Sequence, residues 1–160
     1  MYLENFLKMK TIINNKKYQK YIVKTSDSII TFSEKRSKYV LNNKNKRLLY
    51  KLIIDNGIIK TGVKCDSGIY YELNNNTNGD KSLYLIELKG IDVEYAFMQL
   101  LKTYEWFTKK IKNNINFKYR IRVVCTKVCK GIEIKQGKKK FIKYGISDII
   151  VKEHIEDTIN

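Results

Sequence analysis

From Arg47 onward the spacing of apolar residues changes period several times, and each change predicts an element. RLLYKLIID (47–55), Asn56–Gly57 and IIKTGVKCDSGIYYEL (58–73) predict a β-hairpin, because Asn-Gly tolerates the positive φ angles of a type I′ turn. NNNTNGD (74–80) reads as a loop, and SLYLIELK (82–89) as a nearly continuous apolar strand of the kind buried on both faces. In residues 92–111 the apolar side chains Val93, Ala96, Phe97, Leu100, Leu101, Tyr104 and Ile111 recur at helical spacing. Asp92 is placed to cap that helix, and Lys109 and Lys110 suit its C-terminal dipole. YRIRVVCTKV (119–128) is the next strand.

The flanks are less regular. Residues 21–24 and 28–32 predict two short strands about a turn, while residues 33–45 fit either a short helix or a basic loop. Gly131 and Gly137 bracket IEIKQ ahead of KKKFIKYG, which predicts a basic hairpin. Residues 147–157 fit a short terminal helix capped by Ser147. The order predicts an α/β domain with a mixed β-sheet and a crossover helix between the strands at 82–89 and 119–128.

Length adds that residues 1–160 form a single domain. No apolar run reaches the roughly 18 residues of a membrane span. The opening residues place Glu4 inside their short apolar stretch and lack a small-residue cleavage site, so an intracellular (cytoplasmic) protein with no membrane contact is expected. The three cysteines (Cys65, Cys125 and Cys129) are expected as reduced thiols. Cys125 and Cys129 stand as C-x3-C, but only Cys65 and His154 remain to complete a zinc site, which argues against one.

Charge changes the picture most. There are 32 Lys+Arg against 16 Asp+Glu, a formal net charge of +16, and this scarcity of acids points to a polyanionic partner. Residues 109–143 hold 13 Lys/Arg and one acid, Glu133, and residues 35–51 hold seven and none. The expected nucleic-acid contacts are Lys44, Lys46, Arg47, Arg120, Arg122, Lys138, Lys139 and Lys140. Lysine dominates, which suits phosphate contacts better than base reading, and DNA is expected ahead of RNA.

Three polar residues interrupt apolar strands: Asp66 in VKCDSGIYY, and Glu87 and Lys89 in YLIELKG. Alternation points Glu87 and Lys89 to one face of their strand, and neighbouring strands would bring Asp66 to the same edge. Two carboxylates held together repel, and a divalent cation relieves the repulsion. Asp55 is the competing acid, but its place before Asn-Gly suits turn chemistry better.

Asp66, a gap of 20 residues, then Glu87-Leu88-Lys89 on the following strand resembles the PD-(D/E)XK nuclease superfamily. The resemblance spans residues 47–128, leaving 129–160 as a basic C-terminal extension, and it implies a restriction-endonuclease-like core. It also implies a Mg2+-dependent endonuclease in which Mn2+ can substitute. Asp66 and Glu87 would bind the metal with help from the Leu88 carbonyl, Lys89 would assist the attacking water, and Gln99 on the following helix would join the site. Cys65 stands where many members have a proline, and Glu34 is the nearest match to the extra Glu that many members carry on a preceding helix. A Holliday-junction resolvase, which shares this fold and works as a homodimer, is the alternative enzyme. A catalytically inert nucleic-acid-binding module on the same scaffold is the non-enzymatic alternative.

Overall fold

A computed structural model describes residues 9–73, 81–89, 91–111, 117–126 and 131–160. Its centre is the strand the sequence marks as most apolar. β6 (Lys81–Lys89) lies between β5 (Ser67–Glu72), antiparallel, and β7 (Phe117–Cys125), parallel. β1 (Ile22–Thr25), β4 (Leu49–Ile53) and β8 (Ile149–Lys152) complete a six-stranded mixed sheet in the order β1-β4-β5-β6-β7-β8. A second sheet, β2-β3-β9, is built from β2 (Ile29–Glu34), β3 (Ser37–Asn43) and β9 (His154–Ile159). The helices are α1 (Met9–Asn14), α2 (Val93–Lys110) and α3 (Gly131–Ile142), with a 3-10 turn at Gln19–Tyr21.

β6 is apolar on both faces because both are covered. Leu83 and Leu85 pack with Phe97, Leu100 and Phe107 of α2 and with Phe141 of α3. Tyr84, Ile86 and Leu88 face the second sheet, against Tyr39, Leu41 and Ile155. The result is three layers: helices, the large sheet, the small sheet. As expected, α2 connects the parallel pair β6 and β7, and the Asp92 carboxylate accepts a hydrogen bond from the Tyr95 N–H at 2.8 Å to cap it.

The two sheets are joined by a buried ion cluster. Arg122 of β7 is 1% exposed. Its Nε donates to Asp157 Oδ2 of β9 at 2.6 Å, and its Nη1 lies 2.7 Å from Asp148 Oδ1. Tyr39 of β3 donates its hydroxyl to the same Asp157 oxygen at 2.9 Å. Burial alone would raise the Asp148 carboxyl, but hydrogen bonding to Arg122 and the charges of Arg122 and Arg120 outweigh it and hold the group below the usual carboxylate range.

Several expectations are corrected. β4 and β5 do pair, but across the 13 residues between Ile53 and Ser67 rather than a two-residue turn. Asn56 has φ +53° and turns the chain, and the Ile58 N–H donates to the Ile53 carbonyl at 3.0 Å, so Asn-Gly bends a wider loop. Residues 33–45 hold neither helix nor simple loop: β3 occupies most of them, its alternate residues Tyr39 and Leu41 buried. The terminal helix expected at 147–157 is β8 and the start of β9, because Ile155, Asp157 and Ile159 alternate inward at a period of two. The expected basic hairpin is α3. Residues 131–160 are therefore no extension, since they supply one helix and a strand to each sheet.

Gly137, read as a turn signal, lies inside α3 for a packing reason. A Cβ there would come within 2.0 Å of the Phe97 ring on α2. Gly137→Ala is therefore expected to destabilise the fold by about 1–3 kcal/mol through overpacking, although alanine is the better helix former. Urea denaturation would measure it.

Candidate active site

The antiparallel register sets the site. Ser67 of β5 pairs with Ile86 of β6, so one step further Asp66 stands across from Glu87. Parity places both on the helix-covered face, in line with Tyr70 on one strand and Leu85 on the other. The Asp66 N–H donates to Glu87 Oε2 at 3.1 Å, and the Leu88 N–H donates to Asp66 Oδ2 at 2.8 Å. Backbone and side chains thus lock the two acids together at one end of the β5–β6 pair.

α2 holds the neighbouring chain segment in place. The Cys65 N–H donates to Thr103 Oγ1 at 2.8 Å, and the Thr103 hydroxyl donates to the Gln99 carbonyl at 2.9 Å. Gln99 bridges two parts of the site: its amide donates to the Lys64 carbonyl at 2.9 Å while its Oε1 accepts from Lys89 Nζ at 3.2 Å. Lys89 Nζ also lies 4.0 Å from Glu87 Oε1 and 4.5 Å from the centre of the Tyr95 ring. The ammonium is thus held among Gln99, the Tyr95 ring and Glu87.

The electrostatics are those of crowded, partly dehydrated acids. Glu87 is 1% exposed. Burial, then the Asp66 charge, push its carboxyl up to about 8, with Lys89 only partly offsetting them. Asp66 is also raised, by burial first and then by Glu34 and Asp55, against the lowering hydrogen bond from Leu88. Burial and the Glu87 charge also push the Cys65 thiol up, so it is no nucleophile at neutral pH.

These groups open into a cleft of about 600 Å³ lined by Asp66, Glu87, Leu88, Lys89 and Gln99, together with Glu34, Lys35, Arg36, Ser37, Asp55, Tyr95 and Thr126. Every residue that the sequence nominated for the chemistry is therefore brought to one place. Glu34 reaches it from the end of β2, a strand and not the helix the resemblance implied. Asp55, set aside as turn chemistry, also lines the cleft and pairs with Lys64 at 3.2 Å. Sequence reasoning missed the wall formed by Lys35 and Arg36 because their segment carried no clear period.

The expected nucleic-acid contacts fare unevenly. Lys44, Lys46 and Lys139 are exposed, and Lys138 and Lys140 are half-buried on α3. Arg122 is corrected outright: its guanidinium lies inside the ion cluster between the sheets and cannot reach a phosphate. Arg47 is turned inward too, donating to the carbonyls of Asn160 at 2.7 Å and Leu73 at 3.2 Å. Arg120 is paired with Asp148 and lies over the Tyr84 ring. Cys129 lies outside the described residues, while Cys65 and Cys125 are buried.

Among the described residues, no helix is long and apolar enough to cross a membrane, and no three His, Cys, Asp or Glu side chains stand together as a ready-made metal site. The two carboxylates, with Leu88 lining the same cleft, offer oxygen donors, and Glu87 is displaced upward by burial first and by the Asp66 charge second. That chemistry fits a hard divalent cation, which takes one or two protein carboxylates and keeps several waters. No protein-family model matches the sequence, and no curated protein or solved structure matches it.

Proposed function

We propose that this protein is a metal-dependent nuclease with a restriction-endonuclease-like core, hydrolysing phosphodiester bonds of DNA. The observation that carries the reading is the juxtaposition of Asp66, Glu87 and Lys89 at the end of two adjacent strands, inside a cleft on a chain of net charge +16. Asp66 and Glu87 would hold Mg2+ or Mn2+, with the Leu88 carbonyl as a third donor. When bound, such an ion polarises a phosphoryl oxygen and lowers the pKa of a water.

The chain's own residues supply the rest. Lys89, steadied by Gln99 and the Tyr95 ring, places a positive charge where the phosphoryl oxygens gain negative charge as water attacks phosphorus and the bond to the leaving oxygen breaks. Gln99 acts through Lys89 and is a positioning residue. Burial of Glu87 keeps the reacting region at low dielectric, where each of these charges acts more strongly.

One observation favours the inert binding module. Both acids already accept backbone hydrogen bonds, and among the described residues no third carboxylate joins them as a ready-made metal site. The two readings part in a single assay. Double-stranded, single-stranded and branched DNA, and RNA, are incubated with the protein with and without Mg2+ or Mn2+. The nuclease reading expects metal-dependent products that disappear with Glu87→Gln. Salt-sensitive binding with no products on any substrate would establish the module instead, and cutting confined to four-way junctions would establish the resolvase.

A further inference from the structure

The cleft has a wall that the chemistry above does not use. Glu34 pairs with Ser37 at the end of the β2–β3 ladder, so Lys35 and Arg36 alone form the turn between those strands. This turn comes from the small-sheet layer and borders the cleft, whereas Tyr95 and Gln99 border it from the helix layer.

Two observations single the turn out. The chain has four arginines, and three have their guanidinium groups engaged inside the fold: Arg47 by carbonyls, Arg120 and Arg122 by Asp148 and Asp157. Among the described residues Arg36 has no ion pair or hydrogen bond from its side chain, and neither does Lys35, although Glu34, Asp55 and Asp66 line the same cleft. Both side chains are exposed. The backbone is also unusual, for Lys35 has φ +52° at the first position of a two-residue turn, where the favoured geometries ask for Gly, Asn or Asp. A lysine there carries a cost in backbone strain, as Lys46 does at φ +47°.

We infer that the Lys35–Arg36 turn is a phosphate clamp, holding a non-scissile phosphate of the nucleic-acid strand that enters the cleft. Arg36 supplies the planar fork that can grip two phosphate oxygens, and Lys35 supplies a point charge beside it. The acids of the cleft repel a polyanion, and these two cations offset that repulsion at its mouth. The contact is to the backbone and not to base edges, so it serves DNA and RNA alike. This inference rests on the nuclease reading, but binding tests it separately from turnover.

The experiment measures binding without added metal, in chelator, to a single-stranded DNA, a blunt duplex and an RNA of equal length. Lys35→Ala/Arg36→Ala is compared with Lys16→Ala/Lys24→Ala, which removes the same charge from exposed positions outside the cleft. Loss of two phosphate contacts is expected to weaken binding about tenfold and to flatten the slope of log K against log salt by about 1.4–1.8, on all three probes. The control pair is expected to shift binding by about twofold at most. Lys35→Gly should keep or raise the melting temperature, since glycine accepts φ +52°, yet still lose affinity. Equal losses in the two double variants, or a loss confined to RNA, would overturn the clamp. Clamp-dependent binding by a protein that cuts nothing would instead overturn the nuclease reading and leave the clamp standing.

Discussion

Glu87→Gln is expected to move activity and stability in opposite directions. Cleavage should fall by about 10²–10³-fold or more, because a negative charge at the reacting region is removed while shape is kept. The fold should become more stable in chelator at neutral and alkaline pH. Glu87 has a folded pKa of about 8, above its ordinary value near 4.5, so the native state retains a proton that the unfolded chain has lost. By linkage, the wild type loses stability as pH rises between those two values, and the glutamine variant lacks that loss. The advantage of Glu87→Gln should therefore be near zero at about pH 4.5 and grow to on the order of 2–4 kcal/mol above about pH 8. Glutamine still accepts the Asp66 N–H through its carbonyl oxygen. Added Mg2+ should stabilise the wild type and leave the variant unmoved. Denaturation across pH, with and without Mg2+, reads all of this. An unchanged pH profile in the variant would show that the Glu87 carboxylate is not the strained group.

Arg122→Met is expected to have the largest effect on the fold. It leaves the Asp157 carboxylate buried between the sheets without its cation and half-buried Asp148 with Arg120 alone, a loss of about 3–5 kcal/mol. Its pH dependence should also reverse part of the wild-type behaviour. The carboxyl of Asp148 is held below its ordinary value, so its contribution is present above about pH 4 and disappears on acidification through the lower folded value. The wild type should therefore lose stability in acid. Arg122→Met should lose less, because Asp148 then keeps only Arg120 to hold its carboxyl down. Adding Asp148→Asn and Asp157→Asn to Arg122→Met should recover part of the loss, which denaturant melts at pH 3 and pH 7 would resolve.

How much of this could be read from the chain alone depended on how local the cause was. β6 and α2 were legible because continuous burial and a helical stripe are written in neighbouring residues, and the same strand context exposed Glu87 and Lys89 as out of place. Asp66 could be placed beside them because β5 and β6 are adjacent in sequence and in the sheet. The ends failed for the opposite reason. α3 looked like a hairpin because Gly137 is ordinarily a breaker, and only the Phe97 ring on another helix explains it. β9 pairs in parallel with β3, which lies at the other end of the chain, so no nearby residue announces it. Its one local sign was the alternation of Ile155, Asp157 and Ile159. Arg122 was mistaken for a surface contact because its two acids arrive from residues 148 and 157, and charge counting cannot distinguish an exposed cation from an enclosed one.

The parallel union of β3 with β9 also dictates an order of assembly. Asn42 and Glu156, side by side in that sheet, are 114 residues apart, and such distant pairings close late because the intervening loop entropy is lost first. During translation β3 therefore leaves the ribosome with only β2 to pair with, and its other edge stays open until β9 follows.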